Sequence, residues 1–134
     1  GLVGVAPAPD FTRDLLAARL TEAERATLAR DGVLLAPSAY GDPLPVTRRL
    51  LEDGQRHLLL DRPIALRCPV HLLHGQQDPD VPWQTSLRLA ARLEGAAVTV
   101  ELVKDGDHRL SRDEDLRRLA AALDRVLEQA GGHG

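Results

Sequence analysis

The stretch of sequence that decides the fold is residues 70–82, which read VHLLHGQQDPDVP. It begins with an apolar-rich run, residues 70–74, and then passes at once into glycine, aspartate and proline. Such runs are typical of strands buried in a parallel sheet, and glycine and proline mark the loops that end them. A helix-like segment follows at 84–94, and a second strand-like run, VTVELV, occupies 98–103. We therefore predict a βαβ unit whose two strands are parallel.

The segments on either side extend this unit. Residues 2–6 form a short apolar run, which predicts another buried strand followed by a loop around Asp10. Ser111 followed by Glu114 predicts a capping box at the start of a final helix. The apolar residues of that helix recur at helical spacing and should cover one face of the sheet. They are Leu116, Leu119, Ala120, Leu123, Val126 and Leu127. The tail, residues 131–134, should be frayed.

A small helical insert is predicted between these parts, at residues 12–62. Its first part is helical to about residue 30, with a capping box formed by Thr21 and Glu24. Proline and glycine are dense in residues 36–46, so we expect that segment to be irregular. Helical spacing returns between residue 47 and about residue 57.

These segments predict one partial α/β domain, made of a three-stranded parallel sheet with flanking helices. We divide it into a strand and loop (1–10), the helical insert (12–62), and the βαβ unit with the C-terminal helix (63–134). The chain starts inside an apolar run and contains no methionine. We therefore expect it to be part of a longer protein whose N-terminal half is missing.

Composition excludes several functional classes. The chain has 134 residues, 43% of them hydrophobic, and a formal charge of −3 with no basic block, which argues against a nucleic-acid partner. No apolar run approaches the roughly 18 residues of a membrane span. Cys68 is the single cysteine, so an internal disulfide and a zinc site built on several thiolates are excluded. A reducing cytoplasm is the expected location.

Chemistry is expected in the loops that follow the strands, because the carboxyl ends of parallel strands meet at one edge of the sheet. Asp78 follows the first strand of the βαβ unit, and His108 follows the second, 30 residues later. A serine hydrolase needs a neutral imidazole to accept a proton, and a carboxylate that fixes its tautomer and stabilises the imidazolium. Asp78 and His108 are the predicted acid and base.

Each of these residues also has a plainer interpretation. An aspartate in such a loop is more often a turn residue, and a lone histidine after a Gly-Asp pair is more often a solvated loop residue. Asp80 is the better candidate for the N-cap of the next helix. Only the pair Asp78 and His108, with each residue at a strand's end, favours catalysis.

Two motifs resemble those of the α/β-hydrolases. Residues 74–82 are similar to the HGxxDxxVP loop after the seventh strand of that family, and residues 106–108 are similar to the GDH loop after the eighth. The resemblance implies that residues 1–10 are the sixth strand and its loop, that 12–62 is a lid, and that Ser111 begins the closing helix. Residues 52–60, 79–84 and 104–111 are similar to bacterial carboxylesterases near the ABHD-ten group of palmitoyl-protein thioesterases.

The resemblance implies that Asp78 is the triad acid and His108 the general base. Some members of the family place the acid after the sixth strand, which leaves Asp10 as the alternative. The nucleophile elbow G-x-S-x-G is absent, since the sequence contexts of Ser38, Ser86 and Ser111 do not match it. The nucleophile and oxyanion hole should lie in the missing half, and this chain alone should be inactive.

The function implied is hydrolysis of carboxylic esters or thioesters through an acyl-enzyme, with no metal and no cofactor. The partners implied are a small acyl ester or thioester and the missing N-terminal half, and the helical insert would form the acyl pocket. Two alternatives remain: a peptidase of the prolyl-oligopeptidase type, which uses the same two loops, and a noncatalytic binding module that has kept the fold.

The remaining conspicuous side chains are interpreted as structural. His71 and His74 lie three apart in a strand and face opposite sides, which argues against a shared metal site. His74 should support the acid loop, and Trp83 should pack the following helix against the sheet. Arginines of the insert, such as Arg48 and Arg49, should lie on solvated helix faces.

Overall fold

The computed structural model describes residues 1–132, which form two compact units. One unit is residues 10–58, and the other joins residues 1–9 to the chain from Leu59 onward. The strands are β1 (Leu2–Val5), β2 (Val33–Ser38), β3 (Gly41–Thr47), β4 (Val70–Gly75) and β5 (Val98–Val103). The α-helices are α1 (Glu22–Asp31), α2 (Arg48–Gly54), α3 (Gln84–Arg92) and α4 (Asp113–Gly131). Part of the predicted frayed tail, residues 133–134, lies outside the described residues.

A three-stranded parallel sheet in the order β1-β4-β5 forms the larger unit, as predicted. Strand β4 is central, with its Val70 level with Leu2 of β1 and Val98 of β5. Every residue of β4 is buried, including its two histidines, as expected for the central strand of a parallel sheet. Helix α3 connects β4 to β5, so the predicted βαβ unit is confirmed.

The core of this unit has two parts. One is a cluster of Leu60, Val70, Leu72, Leu89 and Leu93. The other is a cluster of Leu73, Val103, Leu110 and Ala122. Because β4 contributes to both clusters, the strand that precedes Asp78 is held firmly from two sides.

Helix α4 differs from the prediction in its start and in its buried face. It begins at Asp113 after Arg112, not at a Ser111–Glu114 capping box, because the buried Asp115 carboxylate accepts hydrogen bonds from the Arg112 backbone N–H (3.3 Å) and guanidinium (2.8 Å). Its buried residues are Asp115, Ala122 and Val126. Of the predicted apolar face, Leu116, Leu123 and Leu127 are exposed. Val126 is buried and Leu119 packs against the core, as predicted, so the periodicity identified only part of the buried face.

The smaller unit, residues 10–58, is only partly the helical insert that was predicted. Helix α1 begins with the expected capping box, in which the Thr21 hydroxyl accepts from Glu24 N–H, and ends at Gly32 with φ 75°. The segment predicted to be irregular instead contributes to an antiparallel hairpin of β2 and β3. Prolines are tolerated there because a two-stranded sheet has only edge strands, whose outward N–H groups need no partner.

One further property concerns membranes. Among residues 1–132, no helix combines the length and the apolar character that crossing a bilayer requires.

Candidate active site

The loops after β4 and β5 bring Asp78 and His108 together. Nδ1 of His108 lies 2.8 Å from Oδ2 of Asp78, within hydrogen-bonding distance. The two residues are 30 positions apart in sequence, and the parallel pairing of β4 with β5 places both loops at the same edge of the sheet. This is the arrangement that the sequence predicts for an acid and a base.

The Asp78 carboxylate is held from both of its oxygens. Oδ1 accepts hydrogen bonds from the backbone N–H groups of Asp80 (2.8 Å) and Val81 (2.9 Å), and Oδ2 faces His108. The side chain has no solvent exposure. Burial acts to raise the pKa of Asp78, but hydrogen bonds from Val81, His108 and Asp80 outweigh it and hold that pKa below its ordinary value. The turn interpretation and the acid interpretation of Asp78 are therefore compatible.

The His108 ring has the tautomer that a general base requires. An ionised Asp78 can only accept hydrogen bonds, so the proton between the two side chains belongs to Nδ1 of His108. In the neutral ring, Nε2 then carries the lone pair. The His108 side chain is 35% exposed while Asp78 is fully covered. The His108 ring therefore stays partly accessible, while the carboxylate of Asp78 is shielded from solvent.

Backbone hydrogen bonds fasten the two loops to each other. Gln77 N–H donates to the Gly106 carbonyl at 2.9 Å, and Gln76 N–H donates to the Val103 carbonyl at 2.8 Å. A Cβ atom on Gly75 would collide with the carbonyl oxygens of Gly106 and Asp107. Gly75 is therefore required for close approach of the loops.

The backbone is strained two residues after His108. Leu110 is buried and has φ 46°, a left-handed conformation that is unfavourable for a leucine. Its N–H donates to the Asp107 carboxylate at 2.8 Å, and its side chain belongs to the core cluster that includes Val103. Strain of this kind persists only where the surroundings fix the conformation, and here they fix the loop that carries His108.

Comparison with known proteins finds similar hydrolases. The chain is 33% identical to mouse palmitoyl-protein thioesterase ABHD10, mitochondrial, over 96% of its own length and 43% of that protein. A crystal structure of a proposed hydrolase from Agrobacterium vitis S4 superposes with a TM-score of 0.87 at 45% identity, covering 92% of this chain and 48% of that one.

The structure of mouse alpha/beta hydrolase domain-containing protein 10 superposes with a TM-score of 0.79 at 32% identity, covering 94% of this chain and 51% of that one. The chain has the α/β-hydrolase fold. It spans about half the length of the relatives that it matches. No protein-family model matches it.

A second histidine, His74, lies beside Asp78 in this α/β-hydrolase fold. His74 is fully buried at the end of β4, with Nδ1 2.7 Å from the Ser86 hydroxyl and Nε2 3.0 Å from the Val81 carbonyl. Nε2 also lies 3.4 Å from Oδ2 of Asp78. His74 therefore supports the acid loop, as expected. The sequence did not predict Ser86 as the partner of His74. The one sequence signal for a buried position was its place three residues before the core residue Leu89, on the same helix face.

Asp10, the alternative acid, has its own partner. Its buried carboxylate lies 3.5 Å from the Arg13 guanidinium, inside the smaller unit. The sequence suggested that Asp80 caps α3, and this prediction is wrong. That helix starts after Trp83 and has no side-chain cap. Asp80 lies three residues before the N-cap position, Trp83, and its N–H donates to Oδ1 of Asp78 at 2.8 Å.

The other residues considered from sequence have ordinary surroundings. His71 hydrogen-bonds Glu101 at 3.0 Å, so the two histidines of β4 have separate partners and do not form a shared site. Trp83 is half-buried at the start of α3. Arg48 and Arg49 are exposed, in agreement with solvated helix positions.

Ligand atoms of Asp78, Asp80 and His108 lie within 4.8 Å of one another, which is close enough to surround a cation. Both oxygens of Asp78 and Nδ1 of His108 already have hydrogen-bonding partners. These hydrogen bonds account for the positions of Asp78 and His108.

Proposed function

We propose that this chain supplies the acid, Asp78, and the base, His108, of a serine hydrolase that cleaves carboxylic esters or thioesters. The observation that carries the proposal is the 2.8 Å hydrogen bond between a dry carboxylate and a partly exposed imidazole. The lowered pKa of Asp78 supports it, because the acid must stay ionised at neutral pH.

In the proposed chemistry, His108 first accepts a proton and then donates it to the leaving group. Nε2 of His108 accepts the proton of a serine hydroxyl as its oxygen attacks the acyl carbon, and Asp78 stabilises the imidazolium that forms. His108 then gives that proton to the leaving alkoxide or thiolate, which leaves an acyl-enzyme. Water then attacks the acyl-enzyme with His108 again as base. The carboxylic acid product leaves, and the serine hydroxyl is restored.

The nucleophile of this reaction is proposed to lie in a segment that precedes residue 1. Ser86 is fully buried and bonded to His74, while Ser38 and Ser111 lie outside any G-x-S-x-G sequence. The relatives are about twice as long as this chain, which leaves room for a nucleophile elbow and its oxyanion hole.

A thioester is the first substrate class to test, because the mouse relative is named a palmitoyl-protein thioesterase. The smaller unit contains a hollow of about 230 Å³, and its lining joins two arginines, Arg25 and Arg48, to five apolar residues: Ala17, Leu20, Leu28, Ala29 and Leu51. Apolar walls of this kind favour an acyl chain. We therefore assign the acyl pocket to residues 10–58.

Labelling with a fluorophosphonate probe tests this function. The full-length protein should be modified at one serine in a G-x-S-x-G sequence, and His108→Ala should abolish the labelling. Hydrolysis of acyl thioesters should exceed hydrolysis of prolyl peptides. No labelling would support a noncatalytic binding module, and faster cleavage of prolyl peptides would support a peptidase.

A further inference from the structure

Behind the proposed acid and base, Ser86 and His74 form a hydrogen-bonded pair that the reaction itself does not use. Both side chains are fully buried, and the Ser86 hydroxyl lies 2.7 Å from Nδ1 of His74. On the other side of the ring, Nε2 lies 3.0 Å from the Val81 carbonyl and 3.4 Å from Oδ2 of Asp78. A line of polar groups therefore runs from α3 to the acid.

The partners of the His74 ring determine where its proton lies. Nε2 faces only acceptors, the Val81 carbonyl and the Asp78 carboxylate, so it must carry the hydrogen. In a neutral ring, Nδ1 is then an acceptor, and the Ser86 hydroxyl is the donor that it requires. Without that hydroxyl, Nδ1 would lose its hydrogen-bonding partner in this set, and the ring would lose one of the contacts that hold its orientation.

A serine, a histidine and an aspartate in contact also resemble a second triad. Burial argues against that role, since Ser86 and His74 are both 0% exposed and no acyl group can approach the hydroxyl. The ring is also oriented differently from His108, because its Nε2 faces the acid loop. The three groups are arranged to hold Asp78.

We propose that Ser86 and His74 are positioning residues that fix the Asp78 carboxylate for His108, a role that rests on the proposed hydrolase function. The Val81 segment receives a hydrogen bond from His74 through its carbonyl and gives one to Asp78 through its N–H. The Nε2–H dipole lies beside the same oxygen, Oδ2, that His108 contacts. Ser86 acts by keeping this dipole pointed at the acid.

The test combines kinetics with imidazole ¹⁵N NMR on the full-length protein, labelled at histidine. In the parent, His74 should show a single neutral tautomer protonated at Nε2, and His108 should be protonated at Nδ1. Ser86→Ala should leave the His74 proton on Nε2 but shift the His74 Nδ1 signal, which loses its donor, and shift the His108 Nδ1–H resonance. The value of kcat should fall by roughly 10- to 100-fold with little change in KM, as expected for a misplaced catalytic group.

Conservative variants and a matched control separate positioning from general destabilisation. Ser86→Thr keeps the hydroxyl and should retain more activity than Ser86→Ala. His74→Gln offers an amide donor near the position of Nε2 and should retain more kcat than His74→Phe. Leu89→Ala, on the same helix and in the core, should lower the melting temperature yet leave kcat and both ring signals at parent values.

The proposal is overturned if His74 carries its proton on Nδ1 or on both nitrogens. It is equally overturned if Ser86→Ala keeps the parent's His108 signal and kcat. Should the parent hydrolyse no ester and accept no probe, the proposed function fails, and the NMR signals of Ser86→Ala still decide whether this pair positions Asp78.

Discussion

Gly75 packs directly against the backbone of the loop that carries His108, and one added methyl group tests how far catalysis depends on that contact. In Gly75→Ala, the new Cβ would meet the carbonyl oxygens of Gly106 and Asp107, neither of which belongs to a flexible side chain. Restoring van der Waals separation requires the loop to retreat by about 1 Å. A retreat of that size would stretch the 2.8 Å bond between His108 and Asp78 past the usual hydrogen-bond range.

We expect kcat of Gly75→Ala on a soluble nitrophenyl ester to fall about 100-fold, the usual effect of a 1 Å displacement. The free energy of unfolding, measured in urea, should fall by about 1–3 kcal/mol because the site is overpacked. Gly4→Ala in the neighbouring strand is the matched control, since its Cβ would meet side-chain atoms alone: the end of Leu72 at 3.1 Å and Cβ of Pro7 at 3.9 Å. Parent-like turnover by Gly75→Ala would refute the reasoning.

Three further predictions concern stability. Asp115→Asn should lower the free energy of unfolding in urea by about 1.5–3 kcal/mol, because this buried carboxylate accepts charged hydrogen bonds from Arg112 and Arg118; a change under about 0.5 kcal/mol would contradict it. Asp78 and Asp115 both have pKa values below the ordinary 3.8. Their contribution to stability should therefore be complete above about pH 5 and be lost as pH falls through 3.8 toward the folded-state pKa values; a urea midpoint that is constant down to pH 2 would exclude this. Thr21→Ala should destabilise α1 by about 1 kcal/mol, seen as faster amide exchange in that helix, while Thr21→Ser should not.

The sheet and the meeting of Asp78 with His108 were predictable from sequence for a simple reason. Strands β4 and β5 are short apolar runs bounded by glycine-containing loops, and a single helix fits between them. Once the strands are parallel, topology alone brings the two loops to one edge. The catalytic role of the two residues remains a prediction that kinetics must test.

Other features depended on tertiary contacts that periodicity does not encode. The hairpin of β2 and β3 was hidden by its prolines, which usually interrupt strands but are tolerated at edges. Gly75 has no left-handed φ, and its importance comes from close packing against the neighbouring loop, a contact that the local sequence does not encode. Ser86 could not be paired with His74 from sequence because they lie on different elements.

A double-mutant kinetic comparison tests the central claim most directly, namely that Asp78 and His108 act as one acid–base unit. In the full-length protein, His108→Ala should lower kcat on a soluble nitrophenyl ester by about 10⁴- to 10⁶-fold, and Asp78→Asn by about 10⁴-fold. The double variant should lose little more than His108→Ala alone, because residues that act as a unit are strongly non-additive. If Asp78→Asn keeps most of its activity while Asp10→Asn loses it, the acid is Asp10 and the assignment of the β4 loop is wrong.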